Sequence, residues 1–119
     1  MAPIVKLTET SELEATLAAA KGRLVVIKFE AEWCGPCKKI APAVSALASR
    51  KPQVIFVKVD VDQAPEIAHK FKVTSMPTFL LLKGGNKQGL LLATVRGAVE
   101  GTLTSQVEIC AAKVASETS

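Results

Sequence analysis

The chain has 119 residues, 49% of them hydrophobic, with a formal charge of +4 and three cysteines. That length suits one compact domain with ample material for a core, and no apolar run reaches the roughly 20 residues needed to cross a bilayer. The lysines are scattered rather than massed in a basic run, so a nucleic-acid partner is not indicated and the charge reads as solubility and mild steering. Three cysteines are too few for a disulfide scaffold, and the start, Met1-Ala2-Pro3-Ile4-Val5-Lys6, lacks the hydrophobic region and cleavage site of a secretory signal. A soluble protein of a reducing compartment, the cytoplasm, is expected.

From the amino terminus, Ile4 to Leu7 is a short apolar strand. Ser11 with Glu14 three residues on forms a capping box ahead of Leu13, Leu17 and the alanine-rich turn to Ala20. Gly22 ends that helix, and Leu24 to Phe29 reads as a strand buried on both faces, as in the centre of a parallel or mixed sheet. Directly after it stands Trp33-Cys34-Gly35-Pro36-Cys37, followed by a helical run to Arg50 in which Ile40, Val44, Leu47 and Ala48 share a face and Pro42 predicts a kink. Val54 to Asp62 is a second central strand. Gln63 to Phe71 is a short helix with Pro65 in its first turn. Thr78 to Lys83 and Leu90 to Val95, joined by a glycine-rich loop, form an antiparallel hairpin. A last helix runs from about Val99 to Lys113, and the tail from Ala115 to Ser119 is expected to fray. This alternation implies an α/β sandwich around a mixed sheet, one domain over residues 1–119, with no linker or repeat at which to divide it.

The chemistry concentrates in the dithiol. Two residues between Cys34 and Cys37 let the sulfurs meet within one turn at a helix start, so a disulfide can close and open with little backbone movement. The unpaired amides and positive end of the following helix favour a thiolate on the first cysteine, which makes Cys34 the attacking sulfur. Cys37, one turn in, is placed to attack the mixed disulfide and release the reduced substrate. Pro36 suits a first-turn position, where it has no N–H to donate, and its fixed φ stiffens the ring that spans Gly35 and Pro36.

The Trp33-Cys34-Gly35-Pro36-Cys37-Lys38 string, its flanks, and Val73-Thr74-Ser75-Met76-Pro77-Thr78 resemble the thioredoxin family over nearly the whole chain. The resemblance implies a thioredoxin fold and a protein-disulfide reductase, an electron carrier in cell redox homeostasis. No cofactor or metal would bind the chain; electrons would come from NADPH through a thioredoxin reductase. Clients would be disulfide-containing proteins such as ribonucleotide reductase, peroxiredoxin and methionine sulfoxide reductase, met by a monomer without membrane or nucleic acid. It also implies that Met76-Pro77 carries a cis-proline facing the dithiol, that Asp62 holds the Trp33 indole, and that Gly97 lines the groove where a client peptide lies against Trp33, Met76 and Pro77. The Gly-Pro interior resembles the reducing members rather than the Gly-His interior of protein disulfide isomerases.

Two positions depart from the family: Lys28, and Glu30, where a small or aromatic residue is often found. Lys28 stands where a buried acid that exchanges a proton with the resolving cysteine is usual, and Lys58 matches the lysine that partners that acid. Lys28 either turns inward, near Glu30 on the same strand face, or snorkels to solvent. A salt link from Glu30 to one of the two lysines is the expected compensation. Two other readings stand beside the reductase: a binding module whose groove holds a partner while the dithiol is incidental, and a zinc site of Cys34, Cys37, Cys110 and His69, which the expected fold scatters. Cys110 reads as a small buried hydrophobe and His69 as a surface residue.

Overall fold

The computed structural model describes residues 4–118. Met1–Pro3, on which the expectation about a secretory signal partly falls, and Ser119, the end of the expected frayed tail, lie outside the described residues. In chain order the elements are β1 (Val5–Lys6), α1 (Thr10–Ala19), β2 (Leu24–Glu30), α2 (Gly35–Arg50), β3 (Ile55–Asp60), α3 (Pro65–Lys70), β4 (Thr78–Lys83), β5 (Leu90–Arg96) and α4 (Glu100–Thr118). The strands form one sheet in the order β1-β3-β2-β4-β5. β1 and β2 run parallel to β3, while β4 runs antiparallel to β2 and to β5. Among the described residues, no helix is long and apolar enough to cross a membrane.

Strand alternation sorts β2 between two cores. Leu24 and Val26 join Ile40, Val44 and Leu47 of α2 and Leu103 and Val107 of α4 on one face. Val25, Ile27 and Phe29 join Leu13 and Leu17 of α1 and Ile67 of α3 on the other. Both faces being covered explains why the strand reads as one apolar run. Each fully buried aliphatic or aromatic side chain contributes about 1.5–3 kcal/mol, so the central strands are held from both sides and their carboxyl ends become a firm platform. Continuing the alternation, Lys28 and Glu30 fall on the α2 face, the side from which Cys37 comes.

Several boundaries differ from expectation: β3 ends at Asp60 rather than Asp62, α3 covers Pro65–Lys70 rather than Gln63 to Phe71, and two further ones have a visible cause. Helix α1 is capped upstream of the Ser11–Glu14 box: the Glu12 carboxylate accepts the Glu9 N–H at 2.9 Å, the Thr8 N–H at 3.1 Å and the Thr8 hydroxyl at 3.2 Å. One long acidic side chain satisfies several orphan donors there, and Ser11 lies inside the helix. At the other end, α4 continues past Lys113 through Thr118 instead of fraying at Ala115. Val114 is buried in the core and Glu117 bonds Lys83 at 3.2 Å, so the last turns are tied to the sheet. Pro42 lies within α2, as placed by the sequence.

The β2–α1 corner is fixed by backbone contact. Gly84 donates its N–H to the Arg23 carbonyl at 2.8 Å, and a Cβ there would fall 2.3 Å from the Ala20 carbonyl oxygen, so only glycine fits.

Candidate active site

Cys34 and Cys37 sit where β2 hands over to α2, and the two are joined in a disulfide with Cα atoms 5.3 Å apart, well within the usual span. Cys34 is the N-cap of α2: its sulfur accepts the Cys37 N–H at 3.2 Å, and its carbonyl accepts the Lys38 N–H at 3.3 Å. The chain therefore places a sulfur where helices ordinarily put a serine or aspartate oxygen, facing donors that favour negative charge. Gly35 and Pro36 make the first turn, where Pro36 has no N–H to lose. Cys34 keeps only 4% of its surface in solvent, but its neighbours Trp33, Gly35 and Pro36 are exposed. Cys37 is buried behind it, and Ala31, Val61 and Met76 pack around the pair.

The remaining expected residues gather around this corner. The Trp33 indole lies 68% exposed, and its Nε1–H donates to Asp62 Oδ2 at 2.8 Å, so the large ring is held at the surface from beyond the end of β3. The Met76–Pro77 peptide bond is cis. The Pro77 carbonyl accepts the Gly97 N–H at 2.8 Å, and Gly97 has a φ of 93°, a conformation open to glycine. Thr78, buried just beyond, ties its hydroxyl to the Ser75 carbonyl at 2.7 Å and so closes the turn that presents Met76 and Pro77.

Lys28 turns inward. Its side chain is 7% exposed, and Nζ lies 2.9 Å from Glu30 Oε1 and 3.2 Å from the Cys37 carbonyl oxygen. The expected salt link thus forms between Glu30 and Lys28, and the snorkelling orientation is not adopted. Lys58 is the direct β3 neighbour of Lys28 in register, half-buried, and it lines with Lys28, Glu30 and Cys37 a cavity of 380 Å³. Asp60, in register with Glu30, went unremarked in the sequence. It is buried, and its Oδ1 accepts the Asp62 and Gln63 N–H groups at 2.8 and 3.3 Å, shaping the turn that delivers Asp62 to Trp33. An Asp-x-Asp at a strand end is the signal that could have revealed it, since aspartate closes such turns through its own following amides.

Cys110 and His69 stay apart from this corner. Cys110 is a free thiol buried in α4, and burial pushes its pKa above the ordinary thiol value of 9.0. His69 is exposed on α3. Among the described residues no group of three or more His, Cys, Asp and Glu side chains is placed to hold a metal ion, so the four paper ligands of a zinc site are not assembled.

Comparison with known families agrees with the geometry: the Thioredoxin family profile matches residues 4–108. The chain belongs to the thioredoxin family. It is 39% identical over 103 residues to a thioredoxin H-type of Oryza sativa subsp. indica, covering 85% of this chain and 84% of the relative. Rattus norvegicus thioredoxin is 41% identical over 102 residues, with 85% and 97% covered. Among solved structures, Fasciola hepatica thioredoxin superposes with a TM-score of 0.83 at 44% identity, covering 88% of this chain and 97% of that one. A yeast structure described as the basis of thiol resolution in a mitochondrial 1-Cys peroxiredoxin via glutathione and thioredoxin systems superposes at 0.78 and 38% identity, with 88% and 93% covered. As a thioredoxin, the chain is a thiol-disulfide oxidoreductase working through the Cys34-Gly35-Pro36-Cys37 site, and the paired sulfurs at the start of α2 are its redox centre.

Proposed function

We propose that this thioredoxin carries two electrons at a time from a thioredoxin reductase, which takes them from NADPH, to disulfides of client proteins. Cys34 attacks a client sulfur as its thiolate, forming a mixed disulfide. Cys37 then displaces the client thiol and closes the Cys34–Cys37 bond, leaving the client dithiol reduced. The Cys37 N–H directed at Cys34 Sγ is the observation that carries this division of labour, because it singles out one sulfur for anionic stabilisation and leaves the other behind it.

The client lies in extended form across Trp33, Met76, Pro77 and Gly97. The small Gly97 admits a backbone closely, and the exposed indole covers apolar parts of the peptide. Peroxiredoxins, ribonucleotide reductase and methionine sulfoxide reductases present the right chemistry, a cysteine disulfide formed in turnover. The first is favoured by the yeast relative, whose description pairs a thioredoxin system with a peroxiredoxin. A reducing compartment such as the cytoplasm suits a monomer that must be recharged after each cycle.

Insulin disulfide reduction by dithiothreitol tests the reading. The intact protein accelerates precipitation of the insulin B chain and Cys34→Ser leaves it at the dithiothreitol rate; equal acceleration by both would overturn the proposal. Replacing dithiothreitol with NADPH and a thioredoxin reductase tests the electron source by oxidation of the nucleotide.

A further inference from the structure

The corner behind Cys37 holds a charge arrangement that the redox pair does not by itself require. Lys28 Nζ touches two groups, the Glu30 carboxylate and the main chain of the residue that bears the second sulfur. The 380 Å³ cavity that all three residues line is far larger than the ~10–15 Å³ needed to seat a water, and Glu30 is 21% exposed against 2% for Cys37, so the carboxylate is the more open of the two to solvent.

We propose that Glu30 accepts the proton of the Cys37 thiol in the resolving step, with the Lys28 ammonium serving the carboxylate before transfer and the sulfur after it. The inference rests on Cys37 being the resolving thiol. Charge conservation inside the buried cluster is the reason. Before transfer the cluster holds one ammonium, one carboxylate and a neutral thiol; afterwards it holds the same ammonium, a neutral carboxyl and a thiolate. One positive and one negative charge are present throughout, so no net charge is created in a region where an unpaired ion is heavily penalised.

The other groups facing the cavity favour this route. Lys58 on β3 and Lys6 on β1 stand in register beside Lys28, and Lys38 lies across from them on α2, so the walls are cationic around a developing thiolate. Of the two other acids on the lining, Glu32 is exposed and Asp60 gives its Oδ1 to two amides of its own turn, whereas Glu30 pairs with the ammonium that also holds the Cys37 carbonyl, which favours it as the acceptor. In the step itself the proton passes from Cys37 Sγ to Glu30 as Sγ attacks Cys34 Sγ. The Cys34–client S–S bond breaks, its electron pair leaves with the client sulfur, and the Cys34–Cys37 bond forms. Glu30 then releases the proton to solvent through the cavity.

Stopped-flow reaction of the fully reduced protein with 5,5′-dithiobis(2-nitrobenzoate) separates the two steps: attack by Cys34 releases a first equivalent of thionitrobenzoate at a rate that depends on reagent concentration, and resolution by Cys37 releases a second at a rate that does not. Glu30→Gln is expected to slow the second phase at pH 7 by about a hundredfold, the lower end of general-base effects. That deficit should narrow as the pH rises, because hydroxide then takes over the removal of the proton. Glu30→Asp should recover part of the rate. Because Glu30→Gln leaves a buried ammonium without its partner, the double variant Lys28→Met with Glu30→Gln provides a second test, and it should show the same slow, pH-dependent second phase. A wild-type second phase in either variant at pH 7, or a deficit that does not narrow with rising pH, overturns the proposal. Release of a single equivalent by the unaltered protein would instead overturn the resolving role of Cys37 on which it rests.

Discussion

Cys34 and Cys110 are equally withdrawn from solvent, each with 4% of its surface exposed, yet the structure gives them opposite chemistry. Cys34 caps α2 with an amide N–H on its sulfur and a second sulfur one turn on. Cys110 lies mid-helix in α4 among the core residues Leu103, Val107 and Val114, and burial raises its pKa, an effect that Lys113 opposes more weakly. Burial therefore does not make a cysteine either reactive or inert. What decides is whether backbone donors are aimed at the sulfur when solvent is removed, and only the start of a helix has donors to spare.

The strongest way to break this comparison is to exchange the oxygen and sulfur at each position. Cys34→Ser removes the redox couple and should reduce insulin turnover to the uncatalysed rate, whereas Cys110→Ser should leave turnover unaltered. Its cost should appear in urea denaturation, because a polar hydroxyl replaces an apolar thiol in the core, a loss of about 1–3 kcal/mol. A Cys110→Ser protein with full stability would mean that the α4 site is wetter than its burial implies.

A smaller effect is expected from the surface of the site. Trp33→Phe keeps an aromatic ring but loses the 2.8 Å bond to Asp62, and a hydrogen bond of this kind is worth about 0.5–1.5 kcal/mol. Client reduction should show a higher KM with kcat little changed, consistent with a residue that holds the peptide rather than the reacting sulfurs.

The smallest effect carries the helix-start argument over to an oxygen acid. Glu12 at the start of α1 has its pKa lowered below 4.5 chiefly by the N–H of Thr8 and then that of Glu9. A carboxylate held low in the folded chain adds stability that is fully present above 4.5 and is lost as the pH falls through the lower folded value. Glu12→Gln should therefore narrow the stability difference between neutral and acidic solution. Denaturant midpoints at two pH values measure it, and an unchanged difference would remove Glu12 as a parallel to Cys34. The thiol of Cys110 runs the other way: its folded pKa is raised, so folding favours the neutral form and stability declines as the pH climbs past 9.0.

Much of this was legible in the chain because several signals coincide. Continuous apolar runs mark β2 and β3, whose both faces are covered, and the Cys-Gly-Pro-Cys string at the end of one of them can only sit at a strand-to-helix turn. Less visible was anything that depends on which face a polar residue takes or on a partner distant in sequence. Lys28 was ambiguous between inward and outward until the alternation of Leu24, Val26, Lys28 and Glu30 was joined to the position of α2. Asp60 was masked by reading β3 through to Asp62. The α1 cap was misplaced because serine is the commoner cap, and Glu12 does the work from inside the helix. The length of α4 depends on Lys83 of a different element.

Alkylation of the reduced protein with iodoacetamide, mapped cysteine by cysteine by mass spectrometry over a range of pH, tests the central claim most directly. Cys34 should react at pH 7 at least about a hundredfold faster than Cys110, with its rate already levelling below the ordinary thiol range near 8.5. Comparable rates at the two sulfurs, or a Cys34 rate that climbs only through that range, would contradict the account.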